Sequence, residues 1–290
     1  MNVNQDWWYV RAYPGDATSM DEATAVLLPW LQDVAATERA DRWFFVRYWD
    51  MTGHHLRLRA RLDLDAADRV HARLNELIDL LSRLSAKGEQ VRLVPGAALA
   101  GMAGPRRVVT SVYTPELAKY GGSRGVELAE DLFTASSTWI ADNKLMDLAQ
   151  TGGRAALAVG FLRDLLASAL PAPAVAGFWA LHRRQWGGRL RMLARTQPEL
   201  SALLSSIATC IADEPPAAQA RGTHEHVKTI VETLDRAGRE DVAIPRPALL
   251  LHYLHMEMNR WGFMPAEECA LGILAVNRSF QPNKYLKPDK

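Results

Sequence analysis

The sequence predicts an α+β chain, and two observations carry that expectation. In the first part the apolar residues alternate over short β-branched and aromatic runs, WWYVRAY at Trp7–Tyr13, Trp43 to Trp49 and Leu56 to Leu62. From Glu116 onward the apolar period changes from two to mostly 3.6. One domain is expected over residues 1–290, with a sheet-bearing half at 1–115 and a mainly helical half at 116–290 packed against each other.

Trp7–Tyr13 reads as a strand that Pro14-Gly15-Asp16 ends with turn chemistry. Ala23, Val26, Leu27, Trp30, Leu31 and Val34 then form a helical stripe behind Ser19 and Asp21. The strands Trp43–Trp49 and Leu56–Leu62 follow, joined by a turn containing Asp50, Thr52 and Gly53. Asp65 is expected to cap one long helix through Val70, Leu74, Leu77, Leu81 and Leu84, which Lys87-Gly88 stops. Arg107–Tyr113 is a further strand, so the order of elements is βαββαβ, a ferredoxin-like half. Helices are expected over 126–143, 157–170, 177–193, 199–210, 224–237 and 244–261, with breaks at Gly152-Gly153, Pro171–Pro173, Pro198, Pro215-Pro216 and Gly238.

Composition narrows the function classes. The formal charge of +1 excludes a strong polyanion-binding signature over the 290 residues, so no direct nucleic-acid partner is expected. No apolar run is long enough to span a membrane, and MNVNQDWWYV has neither a basic nor an apolar targeting segment, which gives an expected cytoplasmic location. Cys210 and Cys269 lack metal-ligand spacing and read as core thiols. HExxH, Walker, dinucleotide and GxSxG patterns are all missing, so neither a metal nor another cofactor is expected.

Three clusters remain. In RYWDMTGHHLRLRAR, which runs from Arg47 to Arg61, alternation puts Arg57, Arg59 and Arg61 on one strand face beside His54 and His55. Arginine grips carboxylates bidentately, although a row of strand arginines is more often a solvated sheet face. Glu116 and Lys119, in the YTPELAKYGG run, are three apart and would pair across one helical turn. His252, His255 and Asn259 share a face of a helix otherwise led by Leu and Met, with Arg260 beside them. The basic run Arg183–Arg189 reads as solvated charge or a peptide contact. Together the three clusters suit an anionic substrate and one general base.

FFVRYWD, HHLRLR, YTPELAKYGG and HMEMNR, in that order, resemble the elimination domain of class I lanthipeptide dehydratases, a domain that also occurs as a separate thiopeptide-type bacteriocin biosynthesis protein. The resemblance covers nearly the whole chain. It implies a lyase that expels glutamate from O-glutamylated Ser or Thr of a ribosomal precursor peptide, leaving dehydroalanine or dehydrobutyrine. It also implies two partners, the modified peptide and a separate glutamylating protein that uses glutamyl-tRNA. A homodimer is compatible with the sequence.

Carried onto this chain, the resemblance assigns catalysis to Arg57, Arg59, Lys119 and His255, with Lys119 standing where the family has arginine. It places the family's glutamate at Glu116, and Glu116 together with Arg47, His55, Tyr120, Asn259 and Arg260, which stand in or beside these motifs, is expected to bind or orient the substrate. Lysine keeps the charge but loses the planar fork, which shifts carboxylate recognition toward Arg57 and Arg59. Two alternatives stay open. One is a thiopeptide pyridine synthase, which joins two dehydroalanines and ejects the leader peptide; the other is a non-catalytic precursor-binding subunit.

Overall fold

The computed structural model describes residues 5–85, 91–97, 103–211 and 217–276, the side chains of 217–221 excepted. The expected breaks at Lys87-Gly88 and Pro215-Pro216 lie outside the described residues. The chain is α+β, with a four-stranded antiparallel sheet near its N-terminus and helices through most of the remainder. It divides into two compact units: Met1–Gln90 with Leu99–Asp147 and Arg239–Ile244, and Val91–Ala98 with Leu148–Gly238 and Pro245–Lys290. Among the described residues no helix is long and apolar enough to cross a membrane.

The first unit is built on strands β1 (Gln5–Tyr13), β2 (Arg42–Asp50), β3 (Gly53–Asp63) and β4 (Arg107–Thr110), in the spatial order β2-β3-β1-β4. Leu56, Leu58, Ala60 and Leu62 of β3 are all at most 1% exposed, and Val10 and Ala12 extend the same apolar face across β1. Each buried leucine contributes about 1.5–3 kcal/mol, and a one-residue slip would turn them all outward, so the register is strongly held. Helix α1 (Met20–Thr37) lies on this face, its Trp30 ring 5.9 Å from that of Trp8. The opposite face carries Tyr9 paired with Arg59 and Arg11 paired with Arg57.

The expected single helix after β3 is instead two, α2 (Leu64–Ala72) and α3 (Leu74–Ser82). The chain tightens at Arg73, whose N–H reaches Val70 O at 3.0 Å, and the ladder restarts there. The cap is Asp63 rather than Asp65, because Asp63 keeps extended backbone at the strand end and its carboxylate accepts from Ala66 N at 2.8 Å. Strand pairing of β4 stops at Thr110, leaving Tyr113 beyond it. A short helix α4 (Leu117–Tyr120) leads into α5 (Ser123–Asp142), which packs on β2 through Phe133 and Phe44, their rings 5.5 Å apart.

The second unit contains a π-helical turn at Gln150–Arg154 followed by α6 (Ala155–Ala169), α7 (Ala172–Leu193), α8 (Gln197–Cys210), α9 (Ala217–Arg239), α10 (Arg246–Arg260) and α11 (Pro265–Val276). The expected breaks at Pro171–Pro173 and Pro198 separate α6 from α7 and α7 from α8, with Pro173 and Pro198 themselves inside the first turn of the following helix, where a missing N–H costs nothing. Gly238 lies inside α9, which continues to Arg239. Cys210 is exposed, which corrects its reading as a core thiol, while Cys269 is buried. Helix α11 was not expected. It packs against α6 and α7 and closely approaches Trp179, to the point that a Cβ at Gly272 would sit 2.7 Å from that ring.

Candidate active site

In the first unit, β1, β2 and β3 place a cationic and aromatic cluster on the sheet face opposite the apolar core. The guanidinium of Arg57 lies 3.3 Å from the Tyr48 ring centroid, and its Nε donates to His55 Nε2 at 3.4 Å. His55 is fully buried, and its Nδ1 lies 3.1 Å from Gly53 O. That pairing assigns the proton to Nδ1 and leaves the Nε2 lone pair for Arg57. Burial pushes the His55 pKa down to about 4, with Arg57 and Arg11 adding to the effect and Gly53 O and Asp50 opposing it. At neutral pH His55 is therefore an uncharged acceptor that orients Arg57.

Arg59 is only 9% exposed, and its guanidinium is surrounded by rings: Tyr113 at 4.5 Å, Tyr9 at 4.6 Å and Phe44 at 5.3 Å. Burial lowers its pKa from the ordinary arginine value. Among the described residues no carboxylate lies within 4.0 Å of Arg57 or Arg59. Arg61, at the end of the row, lies 3.6 Å from Asp41. Burial acts to raise the Tyr9 phenol, but Arg57, Arg59 and a 3.3 Å hydrogen bond from Arg11 Nε outweigh it and lower its pKa. Tyr113 is pushed the other way, by burial and by Glu130, whose carboxylate accepts its hydroxyl at 2.8 Å.

Of the other predicted residues of this unit, Arg47 lies on β2 and Glu116, Lys119 and Tyr120 lie at helix α4. Arg47 is paired in register with Leu56, so it points to the apolar side, where its Nη1 meets Asp21 at 2.5 Å. Glu116 and Lys119 form the expected ion pair at 3.0 Å, with the Glu116 side chain 63% exposed. Tyr120 is buried with its ring 5.8 Å from Phe133. Gly121 ends α4 at φ +79°, and a Cβ there would come within 2.8 Å of Val242, so position 121 has room only for glycine.

In the second unit, His252, His255 and Asn259 are the half-buried positions of α10 between Leu251 and Arg260, so the face expected from their spacing exists. His255 Nδ1 lies 2.7 Å from Glu268 Oε2, and its ring stacks on Trp186 at 3.8 Å with planes 14° apart. Glu268 Oε1 takes a second contact from His182 Nε2 at 3.0 Å. Burial alone would raise the Glu268 pKa, but His255 and His182 together bring it below the usual carboxylate value. Arg260 is fully buried against Glu257 at 2.6 Å, and Glu257 also meets His226 at 2.9 Å.

Sequence reasoning missed Tyr9, Tyr48, Glu268, His182 and Trp186. The acidic pair Glu267-Glu268 inside the otherwise apolar run PAEECALGILAV was a readable signal, because buried carboxylates require partners. Among the described residues no group of three His, Cys, Asp or Glu side chains could hold a metal ion. A cavity of about 640 Å³ beside Arg163 and Trp179, and one of about 260 Å³ beside Thr24 and Met146, are lined by none of the predicted residues.

Residues 7–278 match the family described as lantibiotic biosynthesis dehydratase C-term. The chain belongs to this family. No curated protein matches the sequence. Its fold is shared by the tRNA dependent lantibiotic dehydratase MibB from Microbispora sp. 107891, at 19% identity and TM-score 0.55 over 99% of this chain. This lantibiotic dehydratase C-terminal chain spans 29% of the length of MibB. TbtD, a pyridine synthase from thiomuracin biosynthesis, matches at 16% identity and TM-score 0.62, over 93% of this chain and 96% of its own. TsrL matches at 16% identity and TM-score 0.55, over 99% of both chains.

Proposed function

We propose that this chain is the elimination half of a split dehydratase: a lyase that removes glutamate from O-glutamylated Ser or Thr of a precursor peptide and leaves a dehydroamino acid. The observation that carries the reading is the Arg57–Arg59 pair. Arg57 is held between the Tyr48 face and the His55 lone pair, and neither guanidinium has a carboxylate partner within 4.0 Å among the described residues. Arg59 is buried, and a buried cation without a nearby counter-ion is costly, so a ligand carboxylate would compensate it.

In this reading the two arginines take the glutamate carboxylates and the charge that develops on leaving. The Cα proton passes to His255, the Cα–Cβ double bond forms, and the Cβ–O bond breaks with its electron pair leaving on glutamate. One well-placed donor is typically worth about 3–4 kcal/mol at such a step. Lys119, held by Glu116 at 3.0 Å, supplies a further point charge, while Tyr120, Asn259, Arg47 and Arg260 serve as supports. The glutamyl ester comes from a separate glutamyl-tRNA-using protein. The antiparallel order β2-β3-β1-β4 supports reading the sheet as ferredoxin-like, and we treat the chain as one elimination-type domain.

The test supplies a synthetic O-glutamylated peptide to wild-type, Arg57→Ala and His255→Ala proteins. Glutamate release by the wild type that falls about a hundredfold in both variants is expected. Equal rates in all three would sink the assignment.

A further inference from the structure

We infer that Glu268 is a positioning residue for His255, fixing the ring and its tautomer so that Nε2 carries the lone pair, and that His182 anchors Glu268 from behind. The inference rests on the reading of His255 as the proton-transfer residue. A carboxylate offers only acceptors, so the imidazole nitrogen 2.7 Å from Glu268 Oε2 must bring the hydrogen. In a neutral ring that leaves the lone pair on Nε2, the edge turned away from Glu268. The opposite carboxylate oxygen is occupied by His182 Nε2 at 3.0 Å, so Glu268 cannot swing away without leaving His182 unpaired.

Burial separates the roles of the three groups. Glu268 and His182 side chains are 0% exposed, whereas the His255 side chain is 20% exposed. Only His255 therefore meets solvent or a substrate. The stacked Trp186 at 3.8 Å blocks rotation of the ring out of its plane, leaving Glu268 to set its in-plane direction. The space behind is equally determined: a Cβ on Gly272 would come within 3.0 Å of His182 Cε1, so α11 holds His182 against the carboxylate it also supplies.

The discriminating perturbation is Glu268→Gln. An amide has one acceptor and one donor group in place of two acceptors, so one of the two histidines must change tautomer to stay bonded. The tautomer of His255 is read directly by ¹⁵N NMR on the wild-type chain, with no substrate required. Protonated Nδ1 and unprotonated Nε2 are expected in the neutral ring, and the Nε2–H form would overturn the inference.

In the glutamylated-peptide assay, Glu268→Gln is expected to lower single-turnover elimination by about a hundredfold or more, as when the carboxylate behind a catalytic histidine becomes an amide. Glu268→Asp, which keeps two acceptors, should recover part of that loss. A Glu268→Gln protein that keeps the wild-type melting temperature and the wild-type rate would overturn the inference. If the wild type releases no glutamate the proposed function falls, while the ¹⁵N spectrum still decides how His255 is held.

Discussion

Lowering the pH should loosen the Arg57 mount through His55 alone, by an amount that the structure sets. The unfolded histidine takes its proton near pH 6.5, whereas in the folded chain the value is pushed down to about 4. Because the folded value is the lower one, stability is whole above about pH 6.5 and is lost as the pH falls toward 4, where the unfolded chain binds the proton first. A gap of that size corresponds to about 3 kcal/mol at about 1.4 kcal/mol per unit. His55→Gln keeps an acceptor for Arg57 and a donor for Gly53 O but does not titrate. Urea unfolding of both proteins from about pH 7 to about pH 4 should show the wild type losing about 3 kcal/mol relative to the variant. Parallel stability curves would refute the reasoning that burial holds His55 neutral.

Arg59→Met removes a charge that is enclosed by rings and 9% exposed. Elimination should fall about a hundredfold while thermal unfolding shows stability unchanged or raised by about 1 kcal/mol, since an apolar side chain of similar length fits that cage. Gly121→Ala forces a φ of +79° on a residue with a Cβ and crowds Val242, and should cost about 1–3 kcal/mol in chemical denaturation. Glu257→Gln leaves Arg260 without its buried carboxylate at 2.6 Å and should cost about 3–5 kcal/mol, read as a lower denaturation midpoint.

The sheet was legible because its signals are local. Alternation in WWYVRAY and HHLRLRAR determines which side chains share a face, and the observed pairing of Tyr9 with Arg59 follows from that alternation once the strands meet. Helix ends were less legible. A cap depends on where the strand releases the chain, which made Asp63 the cap and not Asp65. Proline and glycine mark breaks only in context: Pro173 and Pro198 open helices, and Gly238 sits inside one.

The arginines and His255 were readable as residue types, but their partners were not. The contact between His255 and Glu268 joins residues thirteen apart on two helices, and that between His182 and Glu268 spans eighty-six. Neither separation matches a helical or strand period. The tyrosines beneath Arg57 and Arg59 were hidden for a similar reason, since Tyr48 and Tyr9 come from strands flanking β3 and reach the arginines only across the sheet. Arg47, though part of the same stretch, pairs with Leu56 and so turns to the other face.

The most direct measurement is mass spectrometry of a peptide carrying one O-glutamylated serine after incubation with this chain alone, without tRNA or ATP. Loss of glutamate at that site, with dehydroalanine left in the peptide, is the predicted result. A glutamylated peptide returned unchanged, or a leader peptide released from a newly formed ring when a peptide with two dehydroalanines is supplied instead, would contradict the account.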